Sequence, residues 1–272
     1  YSPNNKQPWD DAVTLALTYA EIPYEVIYDE EVLSNLLPLY DWLHLHHEDF
    51  TGQYGKFYAS FKNATWYKDQ KRDYEILAKK LGYEKVSTEK LAVAKKIKEF
   101  VNGGGFLFAM CSATDSYDIA LAAEGLDICG PMFDGDAAES NAQEKLDFSK
   151  TLAFKNFSLV KNPNQYEFSS IDATQKRRIN AKIDFFTLFD FSAKWDPVPT
   201  MLCQNHMQVI KGFMGQTTAF KNEYIKSNVL IMGETKATNE ARYIHGELGN
   251  GTWTFYGGHD PEDYQHKVGD PK

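Results

Sequence analysis

The chain has 272 residues, with 38 acidic against 29 basic side chains and a formal net charge of −9. An acidic chain without a basic stripe argues against nucleic-acid binding, because phosphate neutralisation supplies most of that affinity. No apolar run approaches the roughly 20 residues that span a bilayer as a helix, so no membrane partner is expected. Hydrophobic residues make up 43% of the chain, enough for a substantial core. The three cysteines, Cys111, Cys129 and Cys203, are too few and too scattered for a disulfide framework, so they leave the compartment undetermined.

Pro8 suits the first turn of a helix in which Trp9, Val13, Ala16, Leu17 and Ala20 recur at helical spacing. Pro23 ends that helix. Tyr1 stands just before it, so a native N-terminal strand is expected upstream. Residues 24–28 read as a strand, and a second strand is expected at residues 42–45. The polar and aromatic stretch 46–68 is too long for an ordinary connection and is read as a functional loop. Helices are expected over 65–81 and 88–101, the second capped by Ser87 and stopped before Gly103. A strand over 106–110 and a helix around 116–123 follow. From Asp127 onward the texture turns β-rich, with strand-like runs at 151–154, 198–202, 209–213, 228–232, 242–245 and 252–256. Gly249-Asn250-Gly251 is a hairpin turn between the last two.

Alternating strands and helices over the first ~125 residues predict an α/β fold with a parallel sheet. The expected organisation is one domain over residues 1–272, with an elaborated, β-rich second half. Ligands on such sheets bind beyond the carboxyl ends of the strands.

Two strand tips carry the chemistry. Gly103-Gly104-Gly105 leads into Phe106–Met110, and that strand ends in Cys111 with Ala109 and Ala113 two residues to either side. A strand, a sharp turn and a helix with small neighbours is how a nucleophile is presented. Downstream, Trp253 to Tyr256 runs into Gly257, Gly258 and His259, followed by Asp260 and Glu262. Cys111 is therefore read as nucleophile, His259 as general base and then general acid, and Asp260 or Glu262 as the group that orients the imidazole. His46, His47, Glu48, Asp49, Ser112, Asp115 and Gly258 are the expected substrate-binding residues. Imidazoles beside carboxylates are also metal-ligand types, and His44, His46 and His47 form the alternative metal set. No fixed-spacing partner completes a metal motif, and neither glycine cluster has phosphate-loop spacing, so no cofactor is expected.

These same residues carry a family resemblance. The segment from Phe100 through Asp115, together with Thr254 to Asp260, resembles the ThuA-like branch of the class I glutamine amidotransferase-like superfamily. Over the whole chain it is similar to a group of Bacteroidota proteins described as asparagine synthetase B. ATP-dependent asparagine synthetases join an N-terminal-cysteine amidotransferase to a domain with an S-G-G-x-D-S loop, and the chain has neither. The resemblance implies a flavodoxin-like, doubly wound, mostly parallel sheet. It also implies two alternative activities. One is a Cys-His amide hydrolase or amidotransferase-type enzyme. The other is a carbohydrate-binding or sugar-modifying protein that uses His44, His46, His47, Asp115 and His259, with Trp42, Tyr54, Phe57, Tyr58 and Trp66 stacking on sugar faces. A non-catalytic scaffold is a third reading. The expected partner is a small-molecule amide or carbohydrate, and homo-oligomerisation stays open.

Overall fold

A computed structural model describes residues 1–2, 12–173, 185–188, 209–211 and 216–258. The strands are β1 (Trp42–Leu45), β2 (Phe106–Met110), β3 (Phe185–Leu188), β4 (Val209–Lys211), β5 (Phe220–Lys221), β6 (Leu230–Thr235), β7 (Glu240–Leu248) and β8 (Gly251–Tyr256). The helices are α1 (Ala12–Tyr19), α2 (Asp29–Leu33), α3 (Tyr58–Phe61), α4 (Thr65–Lys80), α5 (Val86–Gly103), α6 (Ser112–Ala122), α7 (Pro131–Asp134) and α8 (Ala142–Lys145). No described helix is long and apolar enough to cross a membrane.

The fold is α/β, built on one open sheet of order β1-β2-β8-β7-β6-β3-β4, with β5 pairing β7. Among the described residues, parallel pairing is confined to β1–β2 and β2–β8, and the other pairs are antiparallel. The reversal comes at Gly249 and Asn250, which let β7 return directly as β8 with Leu248 opposite Gly251. Gly249 has φ +60, and a Cβ there would lie 2.4 Å from Asn102 Oδ1. The expected hairpin is therefore present, and only glycine fits its tip.

One face of the parallel strands makes the core. Leu43, Leu45, Leu107, Ala109, Trp253 and Phe255 alternate onto that face. They are covered by Val93, Ala94, Ile97 and Val101 of α5 and by the wholly buried α6. Gly105 lets β2 start against α5, since a Cβ there would meet the Phe100 ring at 2.2 Å. On the opposite face Trp42 is exposed and His44, Phe106 and Phe108 are half-buried, with the His44 and Phe108 rings stacked at a centroid distance of 5.3 Å.

Several expected elements differ. Residues 24–28 form no strand: Ile27 is buried, but no neighbouring strand pairs with the segment. Residues 151–154 form no strand either. The backbone N–H groups of Leu152, Ala153 and Phe154 donate to the Asp118 carboxylate at 2.7, 2.8 and 2.9 Å, so a side chain takes the place of a ladder partner. Helix α5 starts at Val86 with Lys85, not Ser87, as its N-cap. Helix α6 starts at Ser112, four residues before the expected start. The run 198–202, together with Pro8, Trp9 and Cys203, lies outside the described residues.

Candidate functional site

Strands β1, β2 and β8 run in one direction, so Leu45, Met110 and Tyr256 end at one rim of the sheet. The segments that follow them (His46–Asp49, Cys111–Asp115 and Gly257–Gly258) are the ones the sequence singled out.

Cys111 is the hinge of this rim. It takes φ +51 and ψ −136 and is the N-cap of α6. A residue with a side chain enters that region of backbone space at a cost of order 1–3 kcal/mol. Its backbone is held from several sides. The Cys111 N–H donates to the carbonyls of Tyr256 and Gly258, at 3.2 and 3.1 Å. The Cys111 carbonyl accepts from the N–H and hydroxyl of Thr114, at 3.2 and 2.6 Å. Ala109 and Ala113 are fully buried beside it, small enough to let strand, turn and helix close together.

The 46–50 loop docks onto the same helix start. Ser112 Oγ donates to the His47 carbonyl at 3.0 Å, and Ser116 Oγ donates to the Glu48 carbonyl at 3.0 Å. Asp49 turns inward on its own loop, accepting from Thr51 N–H, Thr51 Oγ and Gly55 N–H at 2.7, 2.6 and 2.8 Å. Beyond it Tyr54, Gly55 and Lys56 all have positive φ. Lys56 is buried, and its ammonium donates to the carbonyls of Val160 and Asn162 at 2.8 and 3.3 Å. Burial draws the Lys56 ammonium down to about 8, against the opposing charges of Asp49 and Glu167.

Three residues that the sequence reading passed over, Asp172, Gln216 and Thr217, are hydrogen-bonded into the same cluster. The Cys111 thiol donates to the Gln216 carbonyl at 3.0 Å. Thr217 N–H donates to Asp172 Oδ2 at 2.8 Å, and Thr217 Oγ donates to Asp115 Oδ1 at 3.0 Å. The Gln216 side-chain amide donates to the Tyr166 carbonyl and, at 3.3 Å, to the Gly55 carbonyl. No periodicity or motif marks Asp172, Gln216 or Thr217. They belong to irregular chain far from Cys111 in sequence, so no local signal points to them.

Burial dominates the electrostatics here. It pushes the Cys111 thiol up to about 12, with the charges of Asp115 and Asp172 adding to the effect. The Ser112 N–H at the start of α6 pulls the other way and is outweighed. Asp115 is fully buried, and burial followed by the nearby Asp172 charge holds its carboxyl well above the usual carboxylate range. Its Oδ2 has no hydrogen-bond partner among the described residues. Burial also raises Glu48 and Asp49. Burial therefore disfavours the charged form of both the Cys111 thiol and the Asp115 carboxyl.

Of the expected site residues, the structure brings Cys111, Ser112, Asp115, Gly258 and the 46–49 loop to one rim. His259, Asp260 and Glu262 lie outside the described residues. His44 does not join the rim: it sits within β1, opposite Phe108. The rings of His46 and His47 lie 4.5 Å apart, but with His44 they form no cluster of converging ligand atoms among the described residues. The cluster that does converge is Asp127, Cys129 and Asp134, with ligand atoms within 4.8 Å of one another. The Lys85 ammonium already pairs with its carboxylates, at 2.5 Å from Asp127 and 3.0 Å from Asp134. Cys129 is fully buried, and its thiol donates to the Thr51 carbonyl at 3.2 Å.

No protein-family model matches the chain, and no curated protein matches it. Two solved structures are similar. The cytoplasmic protein STM3548 from Salmonella typhimurium shares 10% identity at TM-score 0.43, over 94% of this chain and 83% of that one. The cytoplasmic protein STM1381 from Salmonella typhimurium LT2 shares 12% identity at TM-score 0.41, over 96% and 84%. Likeness at this level carries no argument about what the chain does.

Proposed function

We propose that this protein is a cysteine-dependent amide hydrolase or amidotransferase-type enzyme with Cys111 as nucleophile, on a flavodoxin-like, class I glutamine amidotransferase-like fold of the ThuA-like branch. The observation that carries the reading is the elbow itself. A non-glycine residue is held at φ +51 at the carboxyl end of a parallel strand and the start of a helix. Such strain persists only where the surroundings impose it, and it clusters at functional sites. In the proposed reaction the sulfur attacks the amide carbon, forming a C–S bond, and the carbonyl pair moves onto oxygen. Collapse breaks the C–N bond, and the proton lost by sulfur ends on the leaving nitrogen. Water then cleaves the thioester, leaving hydroxyl on the acyl group and hydrogen on sulfur. His259 is the proposed carrier of that proton, and Asp260 or Glu262 orients it. A base is needed, because a thiol held near 12 ionises very little at neutral pH.

One observation favours a second reading, a non-catalytic scaffold: the Cys111 thiol is buried and covered by Gln216. Ammonia and amine release from a panel of small carboxamides separates the two. The enzyme reading expects turnover that falls at least ~1,000-fold in Cys111→Ser. Turnover that survives in Cys111→Ser sinks it.

A further inference from the structure

The Cys111 thiol is tied through a chain of contacts to one exposed loop. The Gln216 carbonyl accepts from the thiol at 3.0 Å, and the Gln216 side-chain amide donates to the carbonyls of Gly55 and Tyr166. Those two carbonyls belong to segments 54–57 and 160–167, which are also joined to each other. The Lys56 ammonium donates to the carbonyls of Val160 and Asn162, and the Phe57 and Tyr166 ring centroids lie 5.9 Å apart. The 160–167 loop is pinned at its base, where Val160 N–H donates to the Phe168 carbonyl at 2.9 Å. Beyond that base Lys161, Asn162, Asn164 and Tyr166 are exposed. Little apolar burial holds such a loop, as in segments that open locally. The contact it closes is also poorly matched. Lys56 is 1% exposed, yet no carboxylate forms an ion pair with it among the described residues. Glu167, on the loop itself, is 6% exposed, and its Oε2 has no hydrogen-bond partner among the described residues. A buried ammonium without a counter-ion and a buried carboxylate oxygen without a donor are both better solvated in water.

We propose that residues 160–167 form a strap whose release uncovers Cys111, and that the uncompensated Lys56 ammonium biases the strap towards release. The inference rests on Cys111 being the reactive centre, and it adds the device that controls access to it. Release returns Lys56 and Glu167 to water and withdraws the Tyr166 carbonyl that seats Gln216 against the thiol. The turn of Tyr54, Gly55 and Lys56, all at positive φ, relaxes with it. Burial holds the Lys56 ammonium near 8, while Asp49 on the 46–50 loop, Glu167 on the strap and the Cys129 thiol before α7 pull it the other way. In water it returns to about 10.5. Release therefore takes up a proton between those values. The strap opens most readily below pH 8 and tightens as pH rises.

Labelling of Cys111 by dilute iodoacetamide, followed by peptide mapping in a mass spectrometer, measures the open population. The sulfur displaces iodide, and the thiol proton goes to solvent. Cys129, bonded to the Thr51 carbonyl and not to the strap, reports general unfolding. The wild type is compared with Lys56→Met at each pH, so the pH dependence of thiol ionisation cancels. The ratio of wild-type to Lys56→Met rates at Cys111 should fall about ten-fold between pH 7 and pH 9. Lys56→Gln repeats the comparison in a second background. Tyr166→Ala removes the ring contact with Phe57 and keeps the backbone carbonyl. Cys111 should then label at least about three-fold faster than in the wild type at pH 7, with Cys129 unchanged. A ratio that stays flat with pH in both Lys56 backgrounds overturns the role of the ammonium. Cys111 labelling in Tyr166→Ala that matches the wild type, or that matches Cys129 throughout, overturns the strap. Neither result depends on turnover. Failure of the proposed reaction, read from Cys111→Ser, removes the nucleophile and leaves the strap to be decided by labelling alone.

Discussion

Lys56 gives a quantitative handle on the rim. Its ammonium is buried and, among the described residues, donates to the backbone carbonyls of Val160 and Asn162, and burial holds it near 8 against 10.5 in an unfolded chain. The folded state then binds fewer protons than the unfolded chain between those values. Stability must rise with pH through this window, because the unfolded state carries the excess protons. The lysine costs about 3 kcal/mol near pH 7 and about 1 kcal/mol near pH 10, a difference of about 2 kcal/mol. Lys56→Met removes this dependence. It also removes two hydrogen bonds, a loss of about 1–3 kcal/mol that varies little with pH. Urea unfolding of both proteins at several pH values isolates the lysine, since every other titrating group is common to the pair. Relative to the wild type, Lys56→Met should lose about 2 kcal/mol of stability between pH 7 and pH 10. A difference between the two proteins that stays flat over that range would refute a buried, charge-penalised Lys56.

Three further outcomes are expected. Cys111→Gly should melt higher than Cys111→Ala, by an amount equivalent to about 1 kcal/mol, because glycine accepts φ +51 without strain. Equal melting temperatures would mean the elbow is unstrained. Asp118→Ala should cost about 3 kcal/mol or more in chemical denaturation, since three buried backbone N–H groups lose their acceptor. A loss below about 1 kcal/mol would show that the 152–154 segment finds other partners. Gly249→Ala should destabilise by at least about 1–2 kcal/mol, from positive φ and from the clash with Asn102. A neutral effect would show that the β7–β8 turn can be rebuilt without a left-handed residue.

The central strands were legible because their patterns are local. β1, β2 and β8 stand where alternation and flanking glycines put them, and the Gly249-Asn250 turn was readable from two residues. Residues 151–154 misled because a β-like run was taken to need a strand partner, whereas the carboxylate of Asp118 took its N–H groups. The early start of α6 follows from Cys111, whose unusual backbone turns the chain within one residue. Cys111 and Asp115 could be named in advance, since both lie on one short segment. Asp172, Gln216 and Thr217 could not, because irregular chain brings them over the elbow through tertiary hydrogen bonds alone.

The pairing of β8 with β2 has a consequence for biogenesis. Some 140 residues separate the two neighbours, and the backbone of Cys111 is braced by carbonyls from Tyr256 and Gly258. During synthesis β2 must wait as an open, apolar edge until nearly the whole described chain has left the ribosome. Such long-range closure is slow and exposes sticky intermediates. The same delay keeps the thiol's turn from assembling early, so a nascent chain has no organised centre until its sheet is closed.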